Sequence, residues 1–272
     1  MSADLIDLVQ RLGQPHVLVL GDLMLDRYVW GDAERISQEA PVILLHADKR
    51  EERLGGASSV ATMLRALGAK VSIVGLVGAD FDGGRIRQTL TDLSIDHEGV
   101  LSDGERPSTV KERYIGRAQH RHSQQMLRVD YEVRKPVSGP IAAELCHAVE
   151  QQLRKADIVL ISDYDKGVCT PALLQTTITA ARQHGLRTLA DPIRAPDFSK
   201  YRGCSAMTPN RYEAAMATGH VLQGTSQVIE AAACLDCLKG NGPRLDVANE
   251  CVALISGQFG LLALRDGGRK EG

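Results

Sequence analysis

Several short stretches of this sequence bring glycine, carboxylate and cationic residues together in patterns suited to holding hydroxyls and anions. In Glu52-Arg53-Leu54-Gly55-Gly56-Ala57-Ser58-Ser59, two glycines precede an apolar run of Val60, Ala61, Met63, Leu64 and Leu67 spaced as one face of a helix. A first turn containing Gly55, Gly56 and Ser59 leaves backbone N–H groups open to the oxygens of a sugar or an anion. The same pair also suits a simple glycine turn between a strand and a helix. Asp22 and Asp26, just after the apolar run at 16–21, suit accepting hydrogen bonds from hydroxyls or capping a turn. Asp163-Tyr164-Asp165-Lys166-Gly167 puts an acid and a lysine at another strand's end, a pattern suited to phosphate and a magnesium ion. Asn210 and Glu213 are spaced as a helix-capping box, and equally as an oxygen pair ordering a hydrated Mg²⁺ beside phosphates.

A basic segment adds a further element. Lys111, Arg113, Arg117, Arg121 and Arg128, with His120 and His122, form either an anion clamp or a solvated charged face. Strand alternation sets Lys111 and Arg113 on one face, which favours a shared ligand. In Gly75-Leu76-Val77-Gly78-Ala79-Asp80-Phe81-Asp82-Gly83, Asp80 or Asp82 reads as the cap of the following helix.

The elements that must position these residues alternate. Apolar runs at 16–21, 71–77, 158–162, 186–190 and 251–255 read as buried strands, and helical patterns fall at 57–67, 84–93, 140–155, 170–184 and 226–238. This order predicts βαβ units, a mainly parallel sheet with helices on both faces, and ligand sites beyond the strands' carboxyl ends. Two segments break the alternation, 27–53 and 108–130. They predict extra strands projecting over the active face as a small lid sheet, with a surface hairpin as the plainer alternative.

Composition narrows the classes. The 272 residues are 43% hydrophobic and 24% charged with a net charge of −2, ordinary for a soluble globular chain and no case for nucleic acid or an anionic membrane. No apolar stretch approaches the roughly 20 residues of a membrane span, and the start lacks a signal-peptide layout, so a cytoplasmic protein is expected. Six scattered cysteines are not a disulfide framework. Cys234 and Cys237 have CxxC spacing, but without a second pair or nearby histidines a structural role is the expectation.

In combination these motifs resemble the ribokinase-like (PfkB) family of sugar kinases. The Gly-Gly helix, the Gly-x-Val-Gly-x-Asp element and Asn-x-x-Glu stand in that family's order. More narrowly, Gly21 to Tyr28, Ile36-Ser-Gln-Glu-Ala-Pro-Val42, Gly55-Gly-Ala57, Ser162 to Gly167, Asp197-Phe-Ser-Lys-Tyr-Arg-Gly203 and Thr208-Pro-Asn210 resemble bacterial heptose 7-phosphate kinases, which act in making ADP-heptose for lipopolysaccharide. The resemblance implies one ribokinase-like domain over 1–272, with lid strands from about 27–53 and 108–130. It implies that Asp26, Gly55, Gly56 and Ser59 hold sugar hydroxyls, although the family usually has Asn at Ser59. Lys111, Arg113 and Arg128 would take the substrate's own phosphate, and Asp163 and Lys166 would face the transfer region. Asn210 and Glu213 would organise ATP and Mg²⁺, with Glu213 nearest the metal.

One departure stands out. The family's Gly-Ala-Gly-Asp stretch, whose amides form an anion hole and whose Asp takes the proton, is absent from the sequence. The expectation is a truncated chain lacking the C-terminal part of the family fold, with weak activity or none, since phosphoryl transfer rests on positioning and charge stabilisation. The leading expectation is an ATP-dependent kinase of D-glycero-D-manno-heptose 7-phosphate acting at the anomeric hydroxyl. A non-catalytic sugar-phosphate-binding protein on the same frame, or a kinase of another sugar phosphate, are the alternatives. A homodimer through the lid sheet is expected, because exposed strand edges and apolar residues such as Val42, Leu44 and Tyr114 call for cover.

Overall fold

Each strand that the sequence marks as a continuous apolar run lies in one parallel sheet, because a strand covered by helices on both faces needs apolar side chains on both. The computed structural model describes residues 13–117 and 122–222, residues 227, 230 and 231, and the backbone of Val252–Ile255 and Leu262–Ala263. The helical pattern at 226–238, Cys234, Cys237, Cys251, His120 and Arg121 lie wholly or mainly outside the described residues.

The strands are β1 (His16–Gly21), β2 (Leu23–Ile36), β3 (Ile43–Gly55), β4 (Lys70–Gly78), β5 (Asp96–Asp103), β6 (Thr109–Arg117), β7 (Gln124–Tyr131), β8 (Ile158–Ser162), β9 (Arg187–Asp191), β10 (Ala206–Met207), β11 (Val252–Ile255) and β12 (Leu262–Ala263). The helices are α1 (Gly56–Ala66), α2 (Phe81–Asp92), α3 (Gly139–Leu153), α4 (Pro171–Gln183) and α5 (Arg211–Thr218). The main sheet runs β5-β4-β1-β8-β9-β10-β11-β12, parallel throughout except for the last pair. Side chains alternate along β1 between two cores. Leu18 and Leu20 pack with Leu145, Val149 and Leu153 of α3 and Leu174 and Ile178 of α4. Val17 and Val19 pack with Ala57 and Ala61 of α1 and Ile86 and Leu90 of α2. Helices therefore cover both faces, as the alternation predicts.

The two interrupting segments form the second sheet, in the order β3-β2-β6-β7. β2 pairs antiparallel with β3 and parallel with β6, and β6 pairs antiparallel with β7. Leu23, Leu25 and Val110 root this lid in the main core. Arg27, buried in β2, fixes the root more firmly: its Nε donates to Glu52 Oε1 of β3 at 2.9 Å, and its guanidinium also pairs with Asp82 of α2. Asp82 is thus an ion-pair partner. The capping role falls to Asp80, whose Oδ1 accepts from Gly83 N at 2.8 Å.

Asp80 does more than cap. Its carboxylate also accepts from Ser108 N and Ser108 Oγ, both at 2.7 Å, tying α2 to the turn that enters the lid. Burial pushes its pKa up, but these hydrogen bonds outweigh burial and hold it below the usual carboxylate range. Asp80→Ala should lower stability by about 1 kcal/mol, the ordinary value of such a cap, measured by urea unfolding at pH 7. A carboxylate depressed in the fold contributes stability above its unfolded pKa and loses it as pH falls through the folded pKa. The difference between wild type and variant should therefore shrink in acid.

Candidate functional site

Asp22 sits between β1 and β2 with a buried carboxylate. Oδ2 accepts from Tyr164 N at 2.8 Å and Lys166 N at 3.2 Å, and Oδ1 from Val168 N at 3.1 Å. Its carbonyl accepts from Ala57 N at 3.0 Å at the start of α1. Burial raises its pKa and the three N–H donors work against that rise. Of the two carboxylates at the end of β1, Asp22 therefore organises backbone, while Asp26 faces the space under the lid.

Gly55 and Gly56 owe their identity to these two acids. A Cβ on Gly55 would meet Asp26 Oδ2 at 2.6 Å, and Gly56, at φ +55°, passes so close to the Asp22 carbonyl that a side chain has no room. One N–H of the helix start, that of Ala57, is already taken by Asp22. Ser58 is buried, with Oγ donating to Gly55 O at 2.7 Å, and Ser59 beside it is half-buried.

The lid register brings the cations to the same place. Asp26 pairs across β2 with Lys111, and Arg113 lies directly opposite Arg128. Arg113 Nη1 reaches Asp26 Oδ1 at 2.6 Å, and its guanidinium lies 5.2 Å from the Tyr28 ring centre. Lys111 Nζ lies 5.8 Å above the Tyr164 ring. Burial and the nearby Lys166 push the Lys111 pKa down, with Asp26 opposing. Arg128 is half-exposed and paired with Asp130 at 2.9 Å, so it is the outermost of the three. Asp26, Gly55, Gly56, Lys111 and Arg113 thus converge.

Asp163 and Lys166 take different positions. Asp163 Oδ2 accepts from Lys200 Nζ at 2.6 Å and Tyr201 Oη at 2.8 Å, and Oδ1 from Asp165 N at 2.9 Å. With its side chain 1% exposed, the carboxylate is committed to holding the loop. Asp165 is at φ +58°, a strained conformation for a residue with a side chain, and the Asp22 and Asp163 bonds on either side sustain it. Lys166 is buried and pairs with Glu132 Oε2 at 2.8 Å at the exit of β7.

On the far side of this loop lies an open cleft of about 640 Å³. Asp163 and Tyr164 form one part of its wall, and Asp191, Arg194, Asn210 and Glu213 another. Asn210 and Glu213 form the capping box of α5: Asn210 Oδ1 accepts from Glu213 N at 3.0 Å, and Glu213 Oε2 from Asn210 N at 2.8 Å. Burial raises the pKa of Asp191, with Thr208 opposing and Asp163 adding repulsion. Glu213 is likewise raised, first by burial and further by Asp191. Crowded, partly desolvated carboxylates of this kind are hard oxygen donors that a divalent cation would relieve. Tyr164, touching Lys111 on one side and the cleft on the other, was not singled out by sequence reasoning. Arg194 carries no sequence signal either, whereas Asp191-Pro192 closes its strand in the same way as the Asp163 segment. The strand-end position of Asp191-Pro192 was the signal available for that wall.

Among the described residues, Asp22, Asp163 and Cys169 form a buried group whose ligand atoms lie within 4.8 Å of one another. Its carboxylates already accept from backbone, lysine and tyrosine donors, which explains the group without an ion. Cys146 and Cys169 are free thiols.

The model of the pfkB family carbohydrate kinases matches residues 14–237. The bifunctional protein HldE of Wolinella succinogenes is 40% identical over 226 residues, covering 83% of this chain and 46% of that protein. The bifunctional protein HldE of Geobacter metallireducens is 38% identical over 256 residues, 93% of this chain and 49% of the relative. The chain thus spans about half the length of these curated relatives. Arabidopsis thaliana ribokinase, solved with ribose and ATP, superposes with a TM-score of 0.66 at 17% identity, over 94% of this chain and 76% of that one. Phosphofructokinase-2 of Escherichia coli, in its tetrameric inhibited form, gives 0.65 at 16% identity, over 94% and 78%. At these identities the solved structures establish the ribokinase-like fold and nothing further. With that family model matching most of its length, the chain belongs to the pfkB family of carbohydrate kinases.

Proposed function

We propose that this chain binds a heptose 7-phosphate and Mg·ATP on opposite sides of the Tyr164 loop and transfers the γ-phosphoryl group to the anomeric hydroxyl. The observation that carries the reading is the convergence of Asp26, the Gly55–Gly56 turn and Lys111 beside Tyr164, which itself lines the cleft shared with Asn210 and Glu213. Asp26 and the glycine turn would hold hydroxyls. Lys111, with Arg113 and Arg128 behind it, would take the phosphate that the sugar already carries. Glu213 and Asn210 would order a hydrated Mg²⁺, whose chemistry is to neutralise charge on the ATP phosphates. That donor set fits the ion, since Mg²⁺ commonly binds through one or two carboxylates and retained waters. A cytoplasmic location is proposed with the substrates; no described helix is long and apolar enough to cross a membrane.

A second reading, sugar-phosphate binding without turnover, would rest on the lid-side grouping of Asp26, Lys111 and Arg113 alone. Two measurements separate the readings. Calorimetric titration with heptose 7-phosphate should show saturable binding, weakened about tenfold in Lys111→Ala, the cost of one hydrogen bond to a charged group. Because the Lys111 pKa is depressed, affinity should fall at a lower alkaline pH than an ordinary lysine would give. Phosphoryl transfer from ATP under the same conditions supports the kinase, and binding without transfer supports the second reading. Failure of the wild-type chain to bind any sugar phosphate would sink both.

A homodimer through the lid is proposed as well. Ile36, Val42, Ile43 and Leu44 are exposed together at the β2–β3 tip of the lid, the first at 70%, a grouping that usually marks an interaction surface. Light scattering should give a dimer mass at micromolar concentration and a monomer mass for the double variant Val42→Asp, Leu44→Asp. A wild-type monomer mass would count against the proposal.

A further inference from the structure

Arg194 stands out among the charges of the cleft. It follows Asp191-Pro192 at the end of β9 and lines the cleft in company with Asp163, Asp165, Asp191 and Glu213. A guanidinium among so many carboxylates ordinarily pairs with one of them. Arg134, the other cleft arginine, does so, with Asp165 at 3.8 Å, besides Glu132 at 3.2 Å outside the cleft. Among the described residues no ion pair or hydrogen bond at contact distance engages Arg194; Glu213 feels its charge only as a weaker attraction that opposes the rise in the Glu213 pKa. The contact of Arg194 is instead an aromatic face: the guanidinium carbon lies 3.7 Å from the ring centre of Tyr212, well inside cation–π range. Tyr212 sits in the first turn of α5, between the Asn210 and Glu213 of the capping box.

Both partners are exposed, so the stacking is at the weak end of such contacts; it biases the guanidinium toward the cleft while leaving its N–H donors open to water and ligand. A planar fork biased by stacking, with its hydrogen bonds unspent, suits a bidentate anion such as a phosphate. The surrounding carboxylates would repel a bare polyphosphate, so the anion needs both a metal ion and a fixed positive group. The geometry points to Arg194 as the residue that grips the donor's polyphosphate, with Tyr212 as the residue that positions it. The assignment rests on the kinase reading above and names one residue of its nucleotide side.

The test is calorimetric titration of the 272-residue chain with Mg·ATP and with Mg²⁺ plus inorganic tripolyphosphate, using heptose 7-phosphate binding as the control for intact folding. Arg194→Ala should weaken both polyphosphates about tenfold or more, the loss of one charged hydrogen bond, and leave the sugar phosphate unchanged. Arg194→Lys should recover only part of the affinity, because an ammonium has no fork. Tyr212→Phe should match wild type, and Tyr212→Ala should fall between wild type and Arg194→Ala. If Arg194→Ala also loses heptose 7-phosphate, Arg194→Gln, which keeps most of the length without the charge, decides in its place. Wild-type polyphosphate affinity in a charge-removing variant overturns the assignment and leaves the kinase reading standing. Wild-type chain that binds the sugar phosphate but neither polyphosphate overturns it too. Chain that binds neither kind of ligand overturns the kinase reading itself.

Discussion

The site hangs on one buried carboxylate. Asp22 joins the end of β1 to three N–H groups of the loop after β8, and through its carbonyl to the first turn of α1. A charge buried this way is tolerated only when hydrogen bonds replace the lost water, and here backbone donors do so. Because β1 and β8 are neighbours in the sheet, the connection is short and stiff. It fixes the loop that carries Tyr164 relative to the glycine turn that carries Gly55 and Gly56.

That loop partitions the charges. On the lid side, burial pushes Lys111 toward its neutral form and Lys166 adds to that, with Asp26 and Asp130 opposing, while Arg113 and Lys166 are each paired with an acid. On the cleft side, Asp191 and Glu213 are shifted in the opposite sense, and their pKa values rise. Two neighbouring compartments of opposite charge suit two ligands that differ in kind: an anion received directly, and an anion that brings its own cation.

The main sheet was legible because its strands are buried on both faces and read as unbroken apolar runs. The lid's longest strand, β2, was not delimited in advance, since Asp26, Arg27, Asp32 and Arg35 interrupt any apolar rhythm and two register shifts break its alternation. β5 was missed for a similar reason: it is the sheet's outer strand, and Asp96, His97 and Glu98 make its first half polar. Helix α2 begins at Phe81, three residues before the apolar pattern that starts at Gly84, because Asp80 sets the start by capping. Within the site, Asp26, the glycine pair and Lys111 could be grouped from sequence because each ends or flanks a strand. Arg194 could not, lying in an irregular segment with no period, and its relation to Tyr212 spans 18 positions closed only by the β9–β10 pairing. Whether Asp163 would face a ligand or a lysine was equally hidden, since Lys200 lies in a short 3₁₀ turn far along the chain.

The lid is anchored at one end only. β2 and β3 are buried near Leu25, Arg27 and Leu54, whereas Ile36, Ile43 and Leu44 at the opposite end stand in solvent. From the Arg27–Glu52–Asp82 triad at the root, nine residues of extended chain carry the tip of β2 roughly 30 Å out. Lys111 and Arg113, in register with Asp26 and Tyr28 beside that triad, sit at the stiff end of the lid, so a partner that grips the exposed tip would leave their geometry in place.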